Sequence, residues 1–411
     1  MRESPQQQRE VIQELTMKAT RTTRPEVWDL PSAHSLLVVS QSLRGGGAER
    51  VITVLLRHLD RKRFKPSLVL FAREGPFLED IPPDVQVYGL GERNPYNLLR
   101  TAARLRRVIR EARPSVILSV LKHPNLLTLA VRQAFFRDIP VVLTERSILS
   151  LNLTSDRGRL LKRLLHRRLY PCAQRIIAVS SAVREDLERR FGLSGERIQV
   201  IPNPCDIERV QGLAREEPDL KFDRSIPTVV AVGRLTKVKG FSYLLQAFAA
   251  VARERGCRLL ILGEGEERPA LGRQAAELGI ADRVLMPGFR RNPFAYMARS
   301  HVFVLSSLSE GFPNVIVEAL ACGIPVVSTS WPSGPGEPIT DGVNGLLVPP
   351  ANPGALAQGM ARLLDDPSLR VRLSHAGRSR ALEFSPSIIA PQYEAVLSEA
   401  LGLGPRLDSA I

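Results

Sequence analysis

VVAVGRLTKVKGFSYLLQAFAAVAR, residues 229–253, carries the pattern that decides the fold. Four small or β-branched apolar residues run unbroken, a glycine- and lysine-bearing loop follows, and a helical pattern then runs from Phe241 to Arg253. A short uninterrupted apolar run followed by a helix suits a strand buried on both faces, as in a parallel sheet covered by helices. The unit recurs downstream at LLIL (259–262), VLM (284–286), VFVL (302–305), PVVS (325–328) and LLVP (346–349). It also recurs upstream, at LLVVS (36–40), LVLF (68–71), VQVYGL (85–90), VILSV (116–120), VVLT (141–144), IIAVS (176–180) and IQVI (198–201). Helical patterns such as Asn97–Ala112 lie between the runs. The two series are separated by Ile201-Pro202-Asn203-Pro204-Cys205-Asp206 and a polar stretch to Pro227, which reads as a linker. The same α/β architecture is used twice: two facing Rossmann-like domains with parallel sheets, spanning 34–205 and 206–384 behind a polar tail of residues 1–33. Ligands of such sheets lie beyond the carboxyl ends of the strands.

The bulk properties agree. A chain of 411 residues and 45.5 kDa, 44% apolar and 24% charged, can bury two cores. Its four cysteines, Cys172, Cys205, Cys257 and Cys322, show no CxxC spacing, and no secretory h-region precedes them. This points to a reducing cytosol and away from a disulfide framework or a thiolate zinc site. No apolar stretch is long enough for a membrane span. The charge is lopsided: residues 1–210 hold 36 lysines and arginines against 22 aspartates and glutamates, +14 of the chain's net +15. Such a half seeks phosphates, a nucleic acid or an anionic membrane surface.

Three loops bear the chemistry. Glu310-Gly-Phe-Pro-Asn-Val-Ile-Val-Glu318 follows VFVL, with Pro313 suited to the first turn of a helix. The helix start offers free N–H groups and a positive dipole end, an anion site between two glutamates. The ordinary reading, two glutamates favouring a helix N-terminus, competes with it. Gly233-Arg234-Leu-Thr-Lys237-Val-Lys239-Gly240 sets three cations at a mouth of the same sheet, where a forked guanidinium and a mobile ammonium fit a diphosphate. Gly45-Gly46-Gly47, between the first strand and its expected helix Val51–His58, again offers backbone N–H groups to an anion or a sugar. It is not GxGxxG, so it is weak as a dinucleotide fingerprint.

Taken together, GGGAER (45–50), GRLTKVKG (233–240), LGEGEE (262–267), PGF (287–289), EGFPNVIVE (310–318) followed by ALACGIPVVS, and DGVNGLLV (341–348) resemble the family 4 glycosyltransferases of the GT-B fold. The resemblance runs from about Ser35 to the C-terminus. Ser333-Gly-Pro-Gly-Glu337-Pro-Ile and Thr144-Glu145-Arg146 are similar to the branch that builds bacterial lipid-linked and surface polysaccharides. The resemblance implies Arg234 and Lys239 on the donor diphosphate, Glu310 beside the donor sugar and Glu318 on the ribose hydroxyls. Gly233, Gly263, Gly288 and the Gly311, Phe312, Asn314 and Val315 segment would complete the donor site. Gly45–Gly47 would form the phosphate and acceptor loop, with Glu145 and Arg146 on the acceptor side. The last helix, within 385–411 and carrying Tyr393, would cross back to the first domain. Many members also place a histidine after the fourth strand. Here the stretch reads Ser119-Val-Leu-Lys122-His123, so His123 is the candidate, with Lys122 or Ser119 able to occupy its place.

The implied activity is retaining transfer of a sugar from a nucleotide-diphospho-sugar, with uracil as the base by family frequency, to a polyprenyl-diphosphate-linked saccharide. Arg234, Lys239 and the helix-start amides would stabilise the leaving diphosphate without a metal, and no DxD triplet is present. No cofactor is implied. Glu310 is left as either nucleophile or positioning group. The expected place is the inner face of the cytoplasmic membrane, held peripherally by the basic first half. On a helix, the stretch from Arg157 to Leu169 would gather Leu160, Leu161, Leu164, Leu165 and Leu169 on one half and Arg159, Lys162, Arg163 and Arg167 on the other. The alternatives are another GT-B enzyme, such as a soluble glucan synthase or sugar-nucleotide epimerase, and a nucleic-acid-binding protein. The latter is disfavoured by 5% aromatics and no binding module.

Overall fold

Every apolar run identified above becomes a strand: central runs such as VILSV and LLIL are buried on both faces, whereas the edge runs VQVYGL and VLM keep exposed positions at Gln86 and Leu285. The computed structural model describes residues 33–91, 97–153, 159–220, 223, 225–330 and 338–403. The tail before residue 33 and the Ser333–Glu337 segment lie outside them. The first sheet comprises β1 (His34–Ser40), β2 (Phe64–Leu70), β3 (Gln86–Gly89), β4 (Val116–Val120), β5 (Val141–Glu145), β6 (Arg175–Ala178) and β7 (Ile198–Val200). All its strands are parallel, in the order β3-β2-β1-β4-β5-β6-β7. The second comprises β8 (Thr228–Val232), β9 (Arg258–Leu262), β10 (Val284–Gly288), β11 (Val302–Leu305), β12 (Val326–Thr329) and β13 (Leu346–Val348), parallel in the order β10-β9-β8-β11-β12-β13.

Both sheets reverse strand order next to their first strand, between β1 and β4 and between β8 and β11. Loops diverge at such a point and leave a crevice. The glycine loop follows β1 and Lys122-His123 follows β4; Gly233-Arg234 follows β8 and Glu310 follows β11. The loops singled out in the sequence therefore stand at the two switch points.

Helix Ile207–Arg215 and the residues before it form the outward crossing between the sheets, with Ile207 and Val210 buried. The chain returns beside it, where the Cys205 N–H donates to the Phe384 carbonyl at 2.8 Å. Helix Pro386–Ala400 then packs on helix Gly47–His58 and against β4 and β5. Its Tyr393 is fully buried among Leu36, Leu118 and Val142. Ion pairs from Glu394 to Arg63 (3.1 Å) and from Glu399 to Arg175 (3.0 Å) fasten it.

Two helix starts differ from expectation. Helix Gly47–His58 begins four residues earlier than the apolar pattern suggested, taking in the last glycine of the loop. The donor-loop helix begins at Asn314, so Pro313 is its cap and Glu318 lies just over one turn inside. Periodicity reports the buried face, and the polar or glycine first turn does not contribute to it.

Candidate active site

Backbone proximity builds this site before any side chain does. Gly233 N–H donates to Leu262 O and Gly263 N–H to Gly288 O, each at 3.0 Å, so three of the expected glycines stand in a row along the carboxyl edge of β8, β9 and β10. Gly263 has φ +151°, and a Cβ there would overlap the Gly233 carbonyl. The 237–240 turn is tied to the end of β11: Ser306 Oγ donates to Lys239 O at 2.9 Å and Leu308 N–H to Val238 O at 2.7 Å. This fastening brings the Lys239 ammonium to Glu310 Oε1 at 2.5 Å, and Ser307 Oγ donates to the same oxygen at 2.7 Å. Arg234 stands exposed in the same turn. Helix Asn314–Cys322 carries no side-chain cap; its Asn314 and Ile316 N–H groups donate to the Phe312 carbonyl (3.1 Å) and the Pro313 carbonyl (2.9 Å), which leaves the Val315 N–H as the helix-start amide for a ligand.

The two domains meet at positions without side chains. A Cβ on Gly45 would stand 3.4 Å from the Phe289 ring and one on Gly47 would stand 2.6 Å from Asn314 Nδ2. One on Gly311 would overlap the Arg146 carbonyl. The glycine loop, the PGF turn, the donor loop and the Thr144–Arg146 strand end thus converge on one cleft. A chain of side chains runs the same way: Arg146 Nη1 donates to Asn203 Oδ1 (2.5 Å), and Asn203 Nδ2 donates to Asn314 Oδ1 (2.7 Å). Beside it lies a cavity of about 340 Å³ whose lining includes Arg50, Phe77, Cys205, Phe294, Asn314 and Glu318. Arg234, Lys239 and Glu310 lie outside that lining, at the β8 and β11 ends.

The acceptor-side pair faces inward. Arg146 is buried on Asn203, with Tyr393 Oη at 3.5 Å. Glu145 is buried at the end of β5, accepting from Tyr170 Oη (2.9 Å), Ser147 Oγ (3.2 Å) and the Arg146 N–H (3.2 Å). Burial pushes this carboxyl up to about 7, against the hydrogen bonds that favour its charge. From the usual 4.5 to about 7 the folded state therefore binds more protons than the unfolded, and stability falls as pH rises through that window. Urea unfolding at pH 4.5 and pH 8 is expected to show a loss of about 3 kcal/mol in wild type that is missing in Glu145→Gln. Equal pH dependence in both proteins would remove Glu145 as its source.

His123 is exposed at the start of helix Lys122–Phe135, after Leu121, which holds φ +78°. A leucine in that region is strained, and the bend sets Lys122 and His123 at the β4 end. Both lie near His166, whose own proton affinity is lowered mainly by burial. Several residues that shape the site had no role assigned from sequence: Arg50, Ser307, Tyr170 and Asn203. Arg50 was visible in GGGAER and Asn203 in the linker, but neither spacing says what it meets.

Two parallel α/β sheets whose switch points open on one cleft, with anion-ready loops on both sides, define a GT-B protein. The glycosyltransferase family 4 profile matches residues 45–209 and the glycosyl transferases group 1 profile residues 215–380. The chain belongs to these glycosyltransferases. It is 32% identical, over 85% of its length and 95% of the relative, to the N-acetylgalactosamine-N,N'-diacetylbacillosaminyl-diphospho-undecaprenol 4-alpha-N-acetylgalactosaminyltransferase of Campylobacter jejuni. It is 37% identical, over 51% of its length and 61% of the relative, to the lipopolysaccharide core biosynthesis glycosyltransferase LpsE of Rhizobium meliloti. Among solved structures, Anabaena HepE in complex with UDP and glucose superposes with a TM-score of 0.75 at 24% identity, covering 89% of this chain and all of that one.

Proposed function

We propose that the protein is a retaining, metal-independent hexosyltransferase that moves a sugar from a UDP-hexose or UDP-N-acetylhexosamine to a hydroxyl of a polyprenyl-diphosphate-linked saccharide. The observation that carries this reading is Lys239 on Glu310 at 2.5 Å, at the ends of adjacent strands β8 and β11, with Glu318 just over one turn inside the helix that follows. Arg234, Lys239 and the amides of Gly311, Phe312 and Val315 take the departing diphosphate, where preorganised donors act on developing charge. Glu310 faces the donor sugar, and Glu318 accepts from the ribose hydroxyls. The bond from the anomeric carbon to the diphosphate oxygen breaks as the bond to the acceptor oxygen forms on the same face. The acceptor's proton passes to the leaving phosphate oxygen, so no protein base is consumed. His123, above the β4 end, contacts the donor sugar, and Gly45–Gly47 face the acceptor's phosphates. Glu145 and Arg146 shape the acceptor side through the 145–147 turn that rests on Gly311. The named activity of the Campylobacter relative supports the lipid-linked acceptor.

A panel of UDP-, GDP-, ADP- and dTDP-sugars, offered with a polyprenyl-diphosphate-linked saccharide, tests this directly. Transfer from a UDP-sugar with an α-linked product is expected. Transfer from another base alone, or a product of inverted configuration, would overturn the corresponding part.

The membrane half of the reading rests on helix Arg159–Leu169. Four of its leucines do not pack inward: Leu160, Leu161, Leu164 and Leu165 are 75%, 62%, 55% and 40% exposed. His166 is the buried anchor instead, 5.0 Å from the Tyr170 ring and 5.9 Å from Phe191. Four leucines and the cations Arg163, Arg167 and Arg168 thus face outward together, the composition of an interfacial helix at an anionic leaflet. Among the described residues no helix is long and apolar enough to cross a membrane. Co-sedimentation with anionic vesicles is expected to fall by more than half at high salt or on changing Lys162, Arg163 and Arg167 to Glu. Serine at the four leucines is expected to abolish what remains. Binding that none of these changes touches would remove the helix from the contact.

A further inference from the structure

Gly47 and Arg50 stand three residues apart on helix Gly47–His58, and Asn314 and Glu318 stand four apart on helix Asn314–Cys322. Each pair lies on one helix face, and the two faces meet across the cleft. Gly47, lacking a side chain, lets Asn314 approach; one turn further in, Arg50 Nη1 donates to Glu318 Oε1 at 2.5 Å. The guanidinium is held from both sides, 5.2 Å from the centre of the Phe77 ring in the first domain and 5.0 Å from that of Phe294 in the second. Glu318 is buried, and among the described residues Arg50 is its only cationic partner within 4 Å. A buried carboxylate deprived of its cation is costly and either protonates or turns away. The first domain therefore supplies the cation that pairs with Glu318 and fixes its aim.

Building on the reading of Glu318 as the ribose contact, we propose that Arg50 is a positioning residue for the donor: the nucleotide site of the second domain is completed across the cleft by the first. Donor binding then senses the docked arrangement of the two domains through the ribose and not through the diphosphate. Lysine keeps the charge but neither the planar fork nor the fit between two rings, so it restores the function only in part.

The experiment compares UDP with 2',3'-dideoxy-UDP by calorimetry on the full chain. In wild type the two ligands differ. In Arg50→Met, UDP is expected to bind about tenfold more weakly, in line with loss of a charge-assisted contact, while dideoxy-UDP is unchanged. Arg50→Lys is expected to fall between. An equal loss for both ligands would mean that Arg50 merely holds the cleft together, and no loss for either would mean that Glu318 does not depend on it; both overturn the proposal. Glu318→Gln separates this from the underlying reading. If it leaves the difference between UDP and dideoxy-UDP intact, the ribose assignment itself fails. If it erases that difference while Arg50→Met does not, only the role of Arg50 fails.

Discussion

Glu310→Gln is expected to lower kcat by about 10²- to 10³-fold with donor KM changed no more than about threefold. The side chain accepts from both Lys239 and Ser307, contacts a glutamine oxygen also makes, so the turn keeps its shape. On the proposed reading, what is removed is one negative charge beside the position where the sugar becomes oxocarbenium-like. A charge that acts only as the bond breaks appears in kcat and not in ground-state binding. Lys239→Met sets the contrast. It strips the cation from Glu310 and, on the proposed reading, from the diphosphate, so UDP affinity is expected to fall by about tenfold or more. Steady-state kinetics over a donor series, with calorimetry of UDP, separates the two. A Glu310→Gln enzyme with full kcat and a raised donor KM would exchange its role with that of Glu318.

Gly311→Ala is expected to cost about 10²-fold in kcat/KM while leaving the melting temperature within a few degrees of wild type. The added methyl meets the Arg146 carbonyl, an atom of the opposite domain, with Ser147 Cα 2.9 Å away. Neither neighbour is a flexible side-chain end, so the domains themselves must part. Misplacement of about 1 Å between reacting groups is enough for a loss of that size. Gly311 does not hold a left-handed conformation, so its own domain accepts alanine without strain. Gly263→Ala is the control: its methyl meets Gly233 of the same domain at φ +151°, so stability falls together with activity. Small-angle scattering is expected to register wider domain separation for Gly311→Ala alone. A Gly311→Ala enzyme of normal activity would show that turnover does not need the closed contact.

The strands could be located from sequence because a parallel sheet covered on both faces demands consecutive apolar residues, a local requirement that VVAV and VILSV meet on their own. The donor-side loops were equally legible. Gly233-Arg234 and Glu310 each follow such a run directly, and the end of a run places its loop at a sheet edge. Helix Gly47–His58 starts earlier than its apolar period shows, because glycine and glutamate in its first turn add nothing to that period.

What the sequence by itself determined is thus the two sheets, the order of their loops and the residue types waiting at their edges. Tertiary structure alone decided which of those residues meet. Arg50 and Glu318 are 268 positions apart and pair because Gly47, without a side chain, lets the start of helix Asn314–Cys322 approach its own helix. Arg146, written in a strand-end motif, turns inward because Asn203 of the linker lies within its reach. The leucines of helix Arg159–Leu169 show a clear apolar half, yet the face that packs is the one anchored by His166. Periodicity reports which side chains share a face of one element over a few residues. Whether that face meets a sheet, the opposite domain or solvent depends on how separately folded elements dock, and no stretch of chain encodes that within its own length.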